Sequence, residues 1–354
     1  MWLYAFPTRS LGFEGVPLAR YDFLQVDRFL KTELAATALC AASSMGLLDR
    51  LSAGAVRQDA LPVSDPAGKA LLIKLLAAND VVVVEPPDVR LSETFRKILP
   101  FRDLLEAKLE FAANVASDVQ ALLPQLIDGL PAFMAKSKTF DLFRYDRCLE
   151  ATPDNVKRTR EWMRLTTALT RYEAQAFLAL ADLTDVRRMM DLGGNSGEFA
   201  LRLCRSSPNL NAVVFDLPVV AMIGREHVAN EPEAARITFC PGDMRRDELP
   251  HGLDLVTYKS VLHDWPDGDA HQLLARARES VRVGGTLAIF ERGPLTVPAE
   301  GLPYSMLPNL VFFRFFRSPE FYAGAMRALG FADVRVQTVT LEMDFHLITG
   351  TRVS

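Results

Sequence analysis

Apolar residues in the first part of the chain recur with helical spacing. Between Tyr21 and Leu51 they return at steps of three and four residues, which predicts an amphipathic helix that breaks near Gly46. Its apolar positions are Leu34, Ala38, Ala41, Met45 and Leu48. Residues 1–20 contain two prolines and two glycines, and they predict an irregular arm ahead of this helix.

A second helix and a hairpin follow. The helix is predicted from Ser64 to Ala78, because Asp65 followed by Pro66 is a typical helix start. Residues 80–91 form two short runs around a proline pair, which predicts two short strands. Helices followed by a hairpin favour a winged-helix-like domain, which we assign to residues 1–105.

Winged-helix domains often bind DNA, so the charge of this region matters. Residues 36–100 contain seven Lys or Arg and seven Asp or Glu, whereas a DNA-binding face needs an excess of basic residues. The whole chain of 354 residues has a net charge of −4 and a pI near 5.8, which also disfavours nucleic acid and anionic lipid as partners. A DNA-binding regulator is therefore the weaker alternative.

The middle of the chain predicts a helical connector over residues 106–183. A glycine and a proline interrupt it near Gly129. The segment from Pro153 to Leu180 carries apolar residues at helical spacing, which predicts one long helix with a buried side.

From Arg187 onward, short apolar runs alternate with helical patterns, as in a parallel α/β sheet. The first run ends in Asp191 and a glycine turn to Gly197, and the second ends in Asp216, 25 positions after Asp191. A strand, a glycine turn and a helix with a later acid are typical of nucleotide-binding βαβ units. Three further strands are predicted at Ile237–Cys240, Leu253–Tyr258 and Thr286–Phe290.

The last segment predicts one helix and two strands. The helix begins after Ser318 and ends at Gly330, and Val334–Thr340 and Phe345–Thr349 alternate as a closing strand pair. These strands complete a seven-stranded, Rossmann-like α/β domain over residues 184–354, preceded by the mainly helical N-terminal domain.

The cysteine content of the chain predicts its cellular compartment. The four cysteines lie far apart without metal-ligand spacing, so we interpret them as reduced thiols of a cytoplasmic protein. No signal peptide is evident at the N-terminus, and no apolar run approaches the roughly 20 residues of a membrane span.

Five motifs in residues 187–291 follow one another in the order and spacing of the S-adenosylmethionine-dependent O-methyltransferases. They are Asp-Leu-Gly-Gly at 191–194, Phe-Asp-Leu-Pro at 215–218, Gly-Asp-Met at 242–244, Leu-His-Asp-Trp at 262–265, and Glu291 after Gly-Gly-Thr-Leu. The chain resembles the branch that includes plant caffeic-acid enzymes and bacterial polyketide and phenazine enzymes. The resemblance implies a class I methyltransferase fold, transfer of a methyl group to a hydroxyl of a small aromatic or secondary-metabolite acceptor, and a homodimer formed through the N-terminal domain.

The resemblance also implies a site for S-adenosyl-L-methionine, which leaves as S-adenosyl-L-homocysteine. The backbone of the glycine turn is expected at the amino-acid part of the cofactor, Asp216 at the ribose hydroxyls, and Asp243 at the adenine amine while Met244 packs on the ring. The expected cofactor residues are Asp191, Gly193, Gly194, Asp216, Leu217, Asp243, Met244 and Lys259.

Methyl transfer to a hydroxyl needs a base and no metal. His263 follows the fourth predicted strand, at the sheet edge where such folds bind ligands, and a histidine suits this work near neutral pH. By resemblance, Glu291 accepts a hydrogen bond from the far ring nitrogen of His263. The other histidines have no partner at a useful spacing and are interpreted as surface or satisfied core residues; they are His227, His251, His271 and His346.

The acceptor side departs from the family pattern. The expected acceptor residues are Met163, Asn309, Phe312, Phe313 and Phe316. Phe316 stands where the resemblance implies a second catalytic acid, and the nearby Arg314 and Arg317 are candidates for an acceptor carboxylate. Two further classes therefore stay open: methylation of carbon, nitrogen or sulfur, and a relative that keeps the cofactor for other chemistry.

Overall fold

The computed structural model describes residues 27–299 and 301–354, with side chains from residue 34 onward. The predicted arm at residues 1–20 and the predicted helix start at Tyr21 lie outside these residues. The N-terminal elements are α1 (Asp27–Ser44), α2 (Leu47–Ser52), β1 (Val56–Arg57), α3 (Pro66–Ala78), β2 (Val82–Glu85), β3 (Asp88–Leu91) and α4 (Glu93–Arg96).

The predicted hairpin is present, and it belongs to a three-stranded sheet in the order β1-β3-β2. Asp65 caps α3 with Pro66 as its first residue, as the sequence predicts. The buried side chains of α2, α3 and the hairpin form a hydrophobic core of their own around Leu48, Leu76 and Val89. Helices and a small antiparallel sheet around a separate core agree with a winged-helix-like arrangement.

A helical connector joins this region to the main sheet. Its helices are α5 (Arg102–Asp128), α6 (Leu130–Lys136), α7 (Lys138–Leu142) and α8 (Pro153–Leu180). The break that the sequence predicts near Gly129 separates α5 from α6. Helix α8 begins where Thr152 caps it by accepting from the backbone N–H of Asn155 at 3.2 Å. The boundaries at residues 105 and 183 stay predictions.

The main domain is built on seven strands. They are β4 (Arg188–Leu192), β5 (Asn211–Asp216), β6 (Ile237–Pro241), β7 (Leu253–Lys259), β8 (Val281–Arg292), β9 (Phe331–Thr340) and β10 (Asp344–Arg352). The helices of this domain are α9 (Glu198–Ser206), α10 (Pro218–Val228), α11 (Asp267–Ser280), α12 (Leu307–Val311) and α13 (Pro319–Ala328).

The strand order is β6-β5-β4-β7-β8-β10-β9. Strands β4 to β8 pair in parallel, and β10 pairs antiparallel with both β8 and β9. The chain therefore moves outward from β4 on one side and returns to β7 on the other. Open α/β sheets bind ligands at the carboxyl ends of the strands beside such a switch point. The predicted seven-stranded sheet and its closing strand pair are confirmed.

Helices cover both faces of the sheet. Helix α9 and the end of α8 pack on one face through buried residues such as Phe177 and Phe199. Helices α11 and α13 cover the other face through Leu274 and Met326. Layers on both faces explain why the central strands are almost continuously apolar in sequence. Within the described residues, no helix is both long and apolar enough to cross a lipid bilayer.

Candidate functional site

A cavity of about 830 Å³ opens where the carboxyl ends of the parallel strands meet the connector and α12. All eight residues that the sequence predicts for a cofactor line this cavity. Three of them lie at adjacent strand ends, because β5, β4 and β7 end near Asp216, Asp191 and Lys259. The volume is within the range of about 300–1,000 Å³ that small-ligand sites occupy.

The glycine turn has little space for a side chain. Gly193 has φ +70°, and a Cβ there would lie 2.8 Å from Cγ2 of Val261. A Cβ on Gly194 would lie 2.7 Å from Oδ2 of Asp191. These glycines are thus required by the packing of the protein itself as well as by any ligand. Gly193→Val would for this reason test the fold and the ligand contact together.

Two carboxyl groups face the cavity, from the buried Asp191 on β4 and the half-buried Asp216 on β5. Asp216 accepts hydrogen bonds from the backbone N–H of Asn195 at 2.8 Å and of Leu217 at 2.7 Å. Thr257 donates to Asp191 at 2.7 Å. Burial raises the pKa of Asp216 to about 6 and that of Asp191 to about 7. Each carboxyl keeps lone pairs free for hydroxyl donors of a ligand.

Asp243 is more strongly engaged than the sequence suggests. Arg245 binds its carboxylate with two nitrogens, at 2.9 and 2.8 Å, and Arg246 approaches to 3.1 Å. The hydrogen bond from Arg245 lowers the pKa of Asp243. The guanidinium of Arg245 also lies over the ring of Trp265, with 4.6 Å between its central carbon and the ring centroid. An amine bound by Asp243 therefore has to share this carboxylate with Arg245.

Lys259 belongs to an ion-pair cluster that the sequence does not reveal. The buried carboxylate of Glu173 on α8 pairs with the ammonium of Lys259 and with the guanidinium of Arg292. Burial alone would raise the pKa of Glu173, but the charges of Arg292 and Lys259 lower it to about 2. Thr170 on the same helix accepts from Lys259 at 2.8 Å. Thr166, Thr170 and Glu173 are spaced by four and three residues, and this helical stripe of polar residues is the signal that could have found the cluster.

His263 and Glu291 meet as the resemblance implies. Nδ1 of His263 lies 2.6 Å from Oε2 of Glu291, which is 99% buried behind it. The other oxygen of Glu291 accepts from the backbone N–H groups of Val261 and Leu262, at 2.8 and 2.7 Å. Burial alone would lower the pKa of His263, but the negative charges of Glu291 and Asp264 raise it. Glu291 thus fixes the ring and leaves Nε2 directed away from it.

A second carboxylate lies on the other side of the same ring. Oδ1 of Asp264 is 3.4 Å from Nε2 of His263, and the hydroxyl of Tyr145 donates to Oδ2 of Asp264 at 2.8 Å. The ring of Phe316 meets the ring of His263 edge-on, with centroids 5.4 Å apart. Tyr145, His263, Asp264 and Phe316 all line the cavity.

Part of the remaining cavity wall is aromatic. Phe140 packs against Phe312 and Phe315, with ring centroids 5.3 and 5.8 Å apart, and Phe143 meets Phe312 at 5.8 Å. Asn309 of α12 also lines the cavity. These residues come from the connector and from the segment around α12, so the tertiary fold assembles the wall from distant parts of the chain.

Two predicted acceptor residues do not line the cavity. Met163 is buried in a separate cluster with Trp162 and Val219, because it lies on the side of α8 that packs against α10. Phe313 packs in the core of the connector, next to Arg314. The role of Met163 and Phe313 as acceptor residues therefore stays a prediction that the lining of the cavity does not support.

The two arginines after α12 bind other groups of the protein. Arg314 donates to the backbone carbonyl of Ile127 at 2.6 Å. Arg317 binds Asp267 at 2.8 Å and the carbonyl of Leu262 at 2.9 Å, which fixes the turn that carries His263. Neither side chain lines the cavity, so the structure gives no support to the candidate carboxylate contact, which stays a prediction.

His227 is a satisfied histidine, and its acidic partner lies 29 positions away in sequence. Its Nε2 lies 2.7 Å from Oε2 of the buried Glu198, which also binds Arg202 and Arg171. This cluster joins α8, α9 and α10 outside the cavity. Among the described residues, no three His, Cys, Asp or Glu side chains are placed to hold a metal ion.

Comparison with known proteins identifies the domain that contains much of this site. Residues 136–305 match the O-methyltransferase domain family. The chain is 37% identical over 118 residues to 3-hydroxy-5-methyl-1-naphthoate 3-O-methyltransferase of Streptomyces sahachiroi, across 33% of this chain and 34% of that protein. It is 37% identical over 173 residues to acetylserotonin O-methyltransferase of Bos taurus, across 47% of this chain and 48% of that protein. The matched segments thus span half or less of each curated relative.

Solved structures share the fold over nearly the whole chain. Human N-acetylserotonin methyltransferase in complex with S-adenosylmethionine superposes with a TM-score of 0.68 at 20% identity, covering 96% of this chain and 100% of that one. The mitomycin 7-O-methyltransferase MmcR superposes with a TM-score of 0.71 at 20% identity, covering 94% and 98%. At this identity the superpositions establish the class I methyltransferase fold.

Proposed function

We propose that this chain, which matches the O-methyltransferase domain family over residues 136–305, transfers a methyl group from S-adenosylmethionine to a hydroxyl of a small, largely apolar aromatic acceptor. The observation that carries the proposal is the 2.6 Å contact between His263 and Glu291 at the wall of the cavity. A histidine oriented by a buried carboxylate is the arrangement that removes a proton from a hydroxyl.

The residues at the strand ends fit the cofactor of this family. Asp216 has lone pairs free for two ribose hydroxyls, and the backbone of Gly193 approaches the cavity without a side chain. The side chain of Met244 lines the cavity beside Asp243, where it offers an apolar surface for a purine ring. When bound, S-adenosylmethionine supplies a methyl group that its sulfonium already activates. The solved relative in complex with S-adenosylmethionine supports this assignment by analogy.

The protein residues then have three tasks. With cofactor and acceptor bound, the cavity would orient the acceptor hydroxyl, the aromatic part of the wall would exclude water, and His263 would accept the hydroxyl proton at Nε2. Glu291 holds Nδ1 protonated through the 2.6 Å contact, which keeps Nε2 free as the accepting nitrogen. General-base catalysis of this kind contributes on the order of 10²–10⁴-fold.

The wall of the cavity favours a planar acceptor. Rings of Phe140, Phe143, Phe312 and Phe315 offer edge and face contacts to an aromatic ligand. The curated relatives act, by their names, on a hydroxynaphthoate and on acetylserotonin, both of which carry fused aromatic rings. We infer a mono- or bicyclic aromatic hydroxyl compound as the acceptor.

We also propose that the chain forms a homodimer through its N-terminal region. Leu34 and Leu71 are exposed there, by 55% and 59%, and Met45 by 43%. Large apolar side chains that share one region and face water favour a protein partner. A second copy of the chain is the partner that the family resemblance implies.

The experiment is methyl transfer from trideuteromethyl-labelled S-adenosylmethionine to a panel of hydroxynaphthoates and N-acylserotonins. Mass spectrometry should find a product heavier by one labelled methyl group, and fragmentation should locate it on oxygen. Calorimetry with S-adenosylhomocysteine tests the cofactor site separately. If S-adenosylhomocysteine binds but the labelled methyl group is found on nitrogen, carbon or sulfur, the acceptor atom is not a hydroxyl oxygen. If S-adenosylhomocysteine does not bind, the proposal is contradicted.

A further inference from the structure

We propose that Tyr145 is a positioning residue of this site, whose hydroxyl holds Asp264 against the proton-accepting nitrogen of His263. Its catalytic consequence rests on the proposed function. The starting point is Phe316, which occupies the place where the family resemblance implies a second catalytic acid. Its ring packs on His263, so any second carboxylate for the base has to come from elsewhere.

The contacts place Asp264 in that position. The hydroxyl of Tyr145 donates to Oδ2 of Asp264 at 2.8 Å, and Oδ1 of Asp264 lies 3.4 Å from Nε2 of His263. The second distance exceeds that of a strong hydrogen bond, but it is short enough for a substantial charge interaction between two half-buried groups. With Glu291 at Nδ1 and Asp264 at Nε2, the ring has one carboxylate at each nitrogen.

Tyr145 is itself held in place. Its ring contacts Trp162 of α8, with centroids 6.0 Å apart, and Trp265, with centroids 6.4 Å apart. Two aromatic neighbours restrict the ring, and the direction of its hydroxyl is set with it. Tyr145 comes from the connector, 119 positions before Asp264, so the connector completes a site whose base lies on the main sheet.

The proposed proton transfer explains why a second carboxylate helps. The hydroxyl proton of the acceptor moves to Nε2 of His263, the acceptor oxygen bonds to the methyl carbon, and the electron pair of the carbon–sulfur bond stays on sulfur. His263 thereby becomes a cation. Glu291 and Asp264 stabilise that cation from both sides, and Asp264 acts at the nitrogen that receives the proton.

Other charged groups near His263 also influence its pKa. Arg292 of β8 opposes its protonation, and Tyr322 of α13 interacts with both Glu291 and Asp264. Without the Tyr145 hydroxyl, Asp264 either turns away from Nε2 or holds its proton more tightly. Both changes remove negative charge beside His263, so both lower its pKa.

The experiment is an NMR titration of the histidine ring carbons in ligand-free wild-type protein and in Tyr145→Phe. The chain has five histidines, and loss of one signal in His263→Gln assigns the relevant one. The pKa of His263 should fall in Tyr145→Phe. With an identified acceptor, kcat at neutral pH should fall about tenfold in Tyr145→Phe, a loss typical of residues that orient a functional group without touching the substrate. The Kd of S-adenosylhomocysteine should change less than about twofold.

A matched control removes a similar hydroxyl elsewhere. Tyr172 donates to Asp103 at 2.7 Å outside the cavity, and Tyr172→Phe should leave the titration of His263 and kcat unchanged. Asp264→Asn should lower the pKa of His263 as Tyr145→Phe does, and the double variant should show no further change. If Tyr145→Phe fails to fold, the single variant Asp264→Asn still tests the role of Asp264.

An unchanged titration of His263 in Tyr145→Phe or in Asp264→Asn would overturn the proposal. So would additive effects in the double variant. Because the titration uses ligand-free protein, its outcome does not depend on methyl transfer. A failure of the proposed function would appear instead as absent product in the wild-type protein.

Discussion

The ring of Phe316 meets the imidazole of His263 edge-on, with 5.4 Å between the centroids, and it is 92% buried. An apolar ring thus packs where the family resemblance implies a second acid. We expect Phe316→Leu to lower kcat/KM for the acceptor by less than about threefold, because a similar volume stays apolar. Phe316→Glu should lower it by more than tenfold, since it buries a charge beside Asp264 and Glu291.

Steady-state kinetics on the identified acceptor distinguish the two variants of Phe316. Wild-type kinetics in both would contradict a place for this ring in the acceptor site. A gain of activity in Phe316→Glu would show that the missing acid limits the rate.

Replacement of the proposed base gives the largest expected loss. His263→Ala should lower kcat on the order of 10²–10⁴-fold, the usual contribution of a general base. The Kd of S-adenosylhomocysteine should stay close to wild type, because the proposed role of His263 is towards the acceptor. Retention of most of the activity would indicate an acceptor that is already a good nucleophile.

The buried cluster around Glu173 predicts a pH dependence of stability. The folded pKa of Glu173, about 2, lies below its ordinary value of 4.5. Its stabilising contribution is therefore complete above pH 4.5 and is lost as the pH falls from 4.5 towards 2. Glu173→Gln should remove this dependence and destabilise the protein by about 3–5 kcal/mol, because Lys259 and Arg292 stay buried without their anion.

Urea denaturation between pH 3 and 7 measures the effect of Glu173→Gln. Glu226→Gln is the control, because Glu226 pairs with Arg160 at an exposed site and should change the free energy of unfolding by less than about 1 kcal/mol. Equal effects of the two substitutions would contradict the buried-cluster interpretation.

The glycine turn can be tested apart from its packing. Gly193→Ala should destabilise the protein, because φ is +70° and the new Cβ meets Val261. Adding Val261→Ala removes that contact and should recover part of the stability. Binding of S-adenosylhomocysteine should stay weakened in the double variant if backbone at Gly193 approaches the ligand. Recovery of binding together with stability would show that the glycine serves packing alone.

The proposed dimer gives a prediction for the N-terminal region. Light scattering should report twice the chain mass of 39.3 kDa at micromolar concentration. The double variant Leu34→Asp, Met45→Asp should be monomeric, because two charges would enter an apolar interface. Val283→Asp changes a residue of similar exposure in the main domain and should stay dimeric. A monomeric wild type would contradict the proposal.

The sequence by itself determined the order of the elements and the strand ends that carry chemistry. Period-two and helical patterns are local, so residues such as Asp216 and His263 are placed by the run that precedes them. Their roles were inferred from motifs that follow successive strands. In a parallel sheet the carboxyl ends of these strands lie at one edge, so the motifs come together there. The cofactor side of the cavity was therefore predictable from short segments of the chain.

Only the tertiary structure decided which distant side chains meet at that edge. Tyr145 of the connector reaches Asp264 across 119 positions, and Glu173 of α8 joins Lys259 and Arg292 at the ends of β7 and β8. The same helix turns Met163 away from the cavity, although sequence spacing alone allows either side. Hydrophobic periodicity identifies a buried face, but it does not say what that face packs against, and the acceptor side depends on that packing.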